Sequence, residues 1–206
     1  MCKAAALPFL RRRMNIEIFC TNYNQAPEAL QWEIAALLDK IWSDSAFRAG
    51  KLLLTHRPEL NAQSVLCRYG ERLVGYAGVV QKTVRIGESN FIAAGLSCVA
   101  SDPDWRGRGV GKRIVRSATQ WVQGQPQIDL GVFTCHPTLS GFYRMAGGWQ
   151  VQPQAVLLGS EDPEGLSSKS LGVDVLMRPF SKIATENWNW IRRATIQLAL
   201  PVGDFW

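Results

Sequence analysis

The chain has 206 residues, 47% hydrophobic and 19% charged, a balance that excludes intrinsic disorder and supplies apolar volume for one domain-sized core. A formal charge of +6 at pH 7 favours anionic partners in general. Outside Arg11-Arg12-Arg13, however, the basic residues are dispersed, without the stripe that nucleic-acid binding calls for.

The apolar run AAALPFL precedes those three arginines, the wrong order of charge for a signal peptide, and no stretch approaches transmembrane length. Residues 1–13 read as a flexible extension of a single domain spanning 1–206. NIEIFC (15–20) reads as a first strand. Pro27 then opens a helix in which Leu30, Ile34, Leu37, Leu38 and Ile41 recur at helical spacing. SVLCRYG and RLVGYAGVVQKTVRI flank Gly70-Glu71 as a hairpin, and a turn at GESN (87–90) leads into FIAAGLSCVA (91–100), apolar enough for a strand covered on both faces.

After a glycine-rich segment, Val110, Ile114, Val115, Ala118, Trp121 and Val122 mark a second amphipathic helix, ended by Gly124. IDLGVFTC (128–135) is another buried strand, and PTLSGFYRMAG (137–147) a short helix. WQVQPQAVLL (149–158) and GVDVLMRPF (172–180) are late strands, and no element is assigned to the tryptophan-bearing end. This order predicts an α/β (α+β) domain around a mixed sheet.

The five cysteines, Cys2, Cys20, Cys67, Cys98 and Cys135, are scattered without a CxxC pair. They read as reduced thiols of a cytoplasmic protein, and with His56 and His136 far apart no metal site is expected. Cys98, in an apolar strand, reads as a small buried residue rather than a nucleophile. His136, before Pro137, reads as a helix-entry residue.

The segment SDPDWRGRGVGKRIV (101–115) carries the chemistry. It is no Walker loop, because Gly111-Lys112 is followed by Arg113, and no dinucleotide fingerprint, because the third glycine of Gly107-Arg108-Gly109-Val110-Gly111 comes one place early. What remains is a strand ending at Ala100, a glycine-dense loop and a helix starting near Gly109. Unpaired amides and the helix dipole there favour a pyrophosphate, and Arg106, Arg108 and Lys112 add full charges.

Arg106-Gly107-Arg108-Gly109-Val110-Gly111 resembles the Arg/Gln-x-x-Gly-x-Gly/Ala motif of the GNAT acyltransferases. DWRGRGV, FYRMAGGW and the terminal GDFW are similar to segments of the aminoglycoside 2'-N-acetyltransferases within that superfamily. HRPEL and the VGYAGVVQKTVRIGE hairpin are more distantly similar to the bacterial nodulation N-acyltransferases. The resemblance implies a GNAT fold, with a central, mostly antiparallel sheet splayed in the middle and flanked by helices.

It also implies acetyl-CoA as co-substrate, held by Cys98, Val99, Ala100, Arg106, Gly107, Arg108, Gly109, Val110, Gly111 and Lys112, with no metal. The acceptor would be the primary amine of a small molecule such as an amino sugar, acetylated by direct attack in a ternary complex. No membrane partner is implied, and a homodimer is left open. The alternatives are a longer acyl donor, a different amine, or a non-catalytic CoA- or RNA-binding module.

Amine attack on a thioester needs a neutral amine, a place for the oxyanion and a proton for the departing thiolate. By the resemblance, Tyr143 supplies that proton, and the strand through Leu96 and Ser97 offers backbone amides to the thioester. Ser97 stands where the aminoglycoside enzymes carry a glutamate base. The proton then goes to a relayed water or to one of Glu88, Asp204 and the carboxylate of Trp206, with Asp204 and Trp206 lining the acceptor pocket.

Overall fold

The structure is a computed structural model that describes residues 15–42, 55–162 and 165–206. The expected extension 1–13, with Cys2 and the three arginines, lies outside the described residues.

Among the described residues the chain runs β1 (Ile16–Asn22), α1 (Glu28–Asp39), β2 (Gln63–Tyr69), β3 (Arg72–Ile86), β4 (Ser89–Ser101), α2 (Val110–Gln123), β5 (Leu130–Cys135) and α3 (Ser140–Gly147). It continues with β6 (Gln150–Val151), β7 (Val156–Leu158), β8 (Asp174–Pro179), α4 (Lys182–Glu186), α5 (Trp188–Ile191) and β9 (Thr195–Gln197). The sheet order is β1-β2-β3-β4-β5-β8-β6, with β9 bridging β3 and β7. Pairing is antiparallel except at β4–β5 and β7–β9.

Side-chain alternation sorts the strands onto two layers. Val65 and Cys67 of β2 and Ala77 and Val79 of β3 join Val110, Ile114, Val115 and Ala118 of α2 and Tyr143 of α3. Leu66, Tyr76 and Val80 point the other way, onto Ile34, Leu37 and Leu38 of α1. The helical spacings of both amphipathic helices therefore become the two faces that sandwich one sheet.

Two features differ from the sequence reading. WQVQPQAVLL is two strands: Gln152 to Ala155 makes a turn around Pro153, so β6 pairs with β8 while β7 pairs with β9. Proline has no amide to donate to a ladder, which is the physical reason for the break. The tryptophan-bearing end, for which no element was predicted, folds as α4, α5 and β9. Its Ile191 and Ile196 are buried against Val84, Ile86 and Leu130.

The sheet opens between β4 and β5. Their parallel pairing is confined to Ala93↔Leu130 and Ala94↔Gly131. Below it, Asp129 ties the two strands together: its amide donates to the Ile92 carbonyl at 2.8 Å, and its carboxylate accepts from the Ile92 amide at 2.9 Å. Beyond Ala94 the strands diverge. β4 follows β3, whereas β5 follows β8. This is the splay that the sequence reading expected.

Candidate active site

A bulge marks the open stretch of β4. Tyr76 pairs with Ala100 but Gly78 pairs with Ser97, so one residue of β3 faces two of β4, Cys98 and Val99. Cys98 takes up the extra length with φ 51, in the left-handed region. A bulge leaves part of its strand outside the ladder and re-aims it, here into the splay. Cysteine gives no local signal for such a conformation, so sequence reasoning missed it.

The segment after β4 is the one expected to cradle an anion. Gly107 and Gly109 have φ 73 and 79; a Cβ on either would meet nothing within 4 Å. It is the backbone conformation, not space, that asks for glycine. Gly109 caps α2 without a side chain, so the amides of the first helical turn face outward with no helical partner. The groove in front of them, about 580 Å³, is lined by Val99, Ala100, Arg106, Gly107, Gly109, Val110, Gly111 and Lys112, and walled by Ile41, Leu139 and Phe142. Of the residues expected to hold the donor, Cys98 and Arg108 do not line it. The Arg108 guanidinium instead stacks 4.9 Å from the Trp105 ring centroid.

Buried Asp102 anchors the cradle's entry. It holds Arg72 at 2.8 Å and Lys40 at 3.1 Å, and accepts from the Asp104 amide at 3.1 Å. Burial pushes the Asp102 carboxyl up, but the Arg72 and Lys40 hydrogen bonds outweigh it and hold the carboxyl below its ordinary value. Asp102→Ala is expected to lose about 1–2 kcal/mol of capping, roughly 2–8 °C in melting temperature for a domain of this size. A lowered folded pKa stabilises above the unfolded one. The wild-type advantage, measured by thermal unfolding, should therefore be level at neutral pH and shrink as pH falls through the Asp102 titration.

A second cavity of about 260 Å³ adjoins the groove at the bulge, since Ser97 lines this cavity while Val99 lines the other. Its further walls include His56, Arg57, Asp204, Phe205 and Trp206. Asp204 Oδ2 sits 2.5 Å from Arg57 Nε. Trp206 plugs the point where the strands part and packs against all three apolar clusters. A Cβ on Gly95 would lie 2.0 Å from its indole nitrogen and 2.3 Å from the Val132 carbonyl oxygen. Thr134 of β5 donates to the Trp206 main-chain oxygen at 2.9 Å.

Tyr143 approaches from the opposite layer. Its ring is held edge-on by Phe133 and Phe142 at centroid distances of 5.0 and 5.1 Å. Burial pushes its phenol well above the ordinary value, with Cys135 on β5 and Cys98 on β4 adding to the shift. The phenol therefore lies within electrostatic reach of both diverging strands.

The other sequence-level candidates fall away from this centre. Glu88 sits exposed in the β3–β4 turn, nine residues from Ser97 and so about 30 Å along an extended strand. It is corrected from base candidate to hairpin tip. His136 is exposed and caps the turn before α3, accepting from the Thr138 amide. Among the described residues no cluster of three or more His, Cys, Asp or Glu could hold a metal ion, and no helix is long and apolar enough to cross a membrane.

His56, to which sequence reasoning assigned no site role, lines the second cavity. It is 4% exposed and lies on the α1 face of the sheet over Gly78, where a Cβ would stand 2.3 Å from His56 Nε2. Glycines inside the apolar strands VGYAGVV and AAGLSC were the available signal, because a strand glycine often marks a close approach.

A sheet parted between two parallel strands, with a glycine-lined helix N-terminus at one cavity and a second cavity of mixed lining beside it, is an arrangement suited to acyl transfer. The chain matches the family described as "Acetyltransferase (GNAT) family" over residues 24–147. It belongs to that family. It is 30% identical over 115 residues to an aminoglycoside 2'-N-acetyltransferase of Mycolicibacterium fortuitum, a match covering 52% of this chain and 57% of that protein. The chain thus matches little more than half the length of that relative.

Two solved structures share the fold. Escherichia coli ElaA aligns with a TM-score of 0.52 at 12% identity, covering 79% of this chain and 99% of that one. An acyl-CoA N-acyltransferase from Pseudomonas aeruginosa aligns with a TM-score of 0.53 at 11% identity, over the same shares.

Proposed function

We propose that the protein transfers an acetyl group from acetyl-CoA to a primary amine, the amine of an amino sugar, by direct attack in a ternary complex. The observation that carries this reading is the adjacency of the two cavities at the β4 bulge, one faced by the α2 amides and the other of mixed lining, with His56, Arg57, Ser97 and Asp204 set among apolar side chains. In this reading the first-turn amides of α2, with Arg106 and Lys112, hold the pyrophosphate of the donor. The walls formed by Val99, Ala100 and Phe142 hold its pantetheine arm, and the bulge amides receive the thioester oxygen as charge develops on it. Tyr143 protonates the leaving thiolate from the α3 side, while the amine enters from the α1 side.

The aminoglycoside enzyme among the relatives supports an amino-sugar acceptor. The charge of the cavity narrows the choice. Asp204, the one carboxylate side chain among the described lining residues, already faces Arg57. With that pair closed, the Trp206 carboxylate is the remaining anionic group of the described lining, and one negative charge favours an acceptor with one or few amines over a polycation.

Saturating acetyl-CoA, at about 100 times its Kd, should stabilise the fold by about 2.7 kcal/mol, read as a rise in melting temperature. An unmoved melting temperature would overturn the donor assignment. Thiol release should then be followed with glucosamine, an aminoglycoside, spermidine and a lysine peptide. Glucosamine is expected to turn over fastest, and release with none of the four would refute acetyl transfer to amines of these classes.

A further inference from the structure

The acetyl-transfer reading leaves one requirement without a residue: something must take the proton from the attacking amine, and Ser97 cannot do so alone. From the contacts around the second cavity we infer that His56 is the general base, with Tyr76, backed by Ser64, as the residue that orients its ring. The inference rests on the proposed acetyl transfer but names a residue that this reading does not require.

The geometry begins with register. Gly78 on β3 pairs directly with Ser97 on β4, so the two occupy neighbouring positions on one face of the sheet. That is the face of Tyr76 and Val80, covered by α1. Gly78 leaves its place in this row empty of side chain, and the His56 imidazole fills it, with Nε2 and Cε1 turned to the strand. His56 and Ser97 then wall the same cavity. A basic side chain is thus brought from the segment before β2 to the spot where β4 itself offers only a hydroxyl.

His56 is also held. Its Nε2 lies 2.8 Å from the Tyr76 hydroxyl, which lies 3.3 Å from Ser64 Oγ. Tyr23 meets the ring edge-on at 5.3 Å and accepts from the Thr55 amide at 3.0 Å. The hydroxyls of Tyr76 and Ser64 can run this chain in either direction, and the base role requires one of the two. In that one Nε2–H donates to Tyr76, Tyr76 O–H donates to Ser64, and Nδ1 keeps its lone pair. Fixing one ring nitrogen to define the role of the other is the usual way to orient a histidine base.

Tyr76 suits this relay. Burial pushes its phenol far above the ordinary value, so it passes no proton to solvent. Burial likewise lowers His56 to about 4, which keeps the ring neutral at working pH and makes it a weaker base than a free imidazole. The titratable and hydroxyl groups around it are Tyr23 beside α1, Tyr76 on β3 with Ser64 of β2 behind it, Ser97 on β4, Arg57 in its own segment, and Asp204 and the Trp206 carboxylate in the tail. Asp204 is paired with Arg57, and a Trp206 main-chain oxygen accepts from Thr134.

The step balances. The amine nitrogen bonds to the thioester carbon, the carbonyl pair moves to oxygen, and the ammonium proton passes to His56 Nδ1. Collapse reforms the carbonyl and breaks the carbon–sulfur bond, the sulfur leaving with its electron pair and receiving a proton from Tyr143. Solvent then carries the imidazolium proton back to the phenolate, which restores both residues.

The test is turnover of His56→Gln with acetyl-CoA and the best of the four acceptors. A general base contributes roughly 10²–10⁴-fold, so kcat should fall by that factor while the melting temperature and the KM for acetyl-CoA hold. The variant's rate should climb with pH towards the pKa of the amine, because only acceptor already deprotonated in solution then reacts. His56→Ala, which leaves space for a ring, should recover at least tenfold with added imidazole. Turnover of His56→Gln within threefold of wild type, or no imidazole rescue in a folded His56→Ala, overturns the inference while the acetyl-transfer reading stands. A wild-type protein that acetylates none of the acceptors overturns both. Nitrogen NMR of the wild-type ring gives an answer without any acceptor: Nε2–H is expected at pH 7, and an Nδ1–H ring would overturn the assignment.

Discussion

Tyr143→Phe is expected to lower kcat for acetyl transfer by about 10²–10⁴-fold, with little change in the KM for acetyl-CoA or in melting temperature. The two stable quantities follow from packing. Phe133 and Phe142 grip the Tyr143 ring by its edges, and phenylalanine keeps that ring, so neither the core nor the wall of the donor groove is disturbed. What is removed is one proton. A phenol raised by burial is a weak acid in water, but the thiolate it serves would form in the same sheltered space and would be made more basic by the same desolvation.

The raised pKa also fixes the sign of the pH effect. The acid form of Tyr143 persists well above the ordinary tyrosine value, so the wild-type kcat should show no alkaline fall from this residue up to about pH 10. Steady-state kinetics across pH decide the matter. A kcat of Tyr143→Phe equal to wild type would remove the acid role.

How much of this was written in the chain depends on how local the cause is. The β2–β3 hairpin was legible because Gly70-Glu71 interrupts two apolar runs, and both strands lie where that reading put them. The cradle was legible because positive φ is a property of single residues, and glycine declares it at Gly107 and Gly109. The bulge was not, because Cys98 is forced into the left-handed region by the mismatch between β3 and β4. No preference of its own puts it there. His56 escaped for a related reason. A lone histidine followed by arginine and proline has no periodicity to read, and its meaning lies in the pairing of Gly78 with Ser97 twenty or more residues downstream. Trp206 was singled out by resemblance, yet its seat against Gly95 and Thr134 follows from strand divergence that no local pattern reports. In the proposed reading, contacts of high sequence separation build the acceptor cavity, whereas the cradle for the donor's phosphates lies in one continuous segment, 99–112. That asymmetry explains why the donor was read more firmly than the acceptor.

The continuity of the donor segment permits a sharp experiment on it. Gly109→Glu should weaken acetyl-CoA binding by at least about 100-fold, a loss of about 2.8 kcal/mol. Two penalties add. At φ 79 any side chain pays roughly 1–2 kcal/mol for the left-handed conformation, which loosens the turn that aims the α2 amides. The new carboxylate then stands at the helix N-terminus, satisfies amides meant for the ligand, and opposes an anion at close range, worth up to about 4 kcal/mol for unit charges 4 Å apart near a protein surface.

Gly109→Ala separates the two. Nothing lies within 4 Å of its added carbon, so it pays the conformational cost alone and should weaken binding by about tenfold. Calorimetric titration of both variants with acetyl-CoA reads the difference. If Gly109→Glu binds as tightly as Gly109→Ala, the first turn of α2 is not where the donor's phosphates lie. A salt-dependent gap of tenfold or more between the two would place negative charge at that helix end.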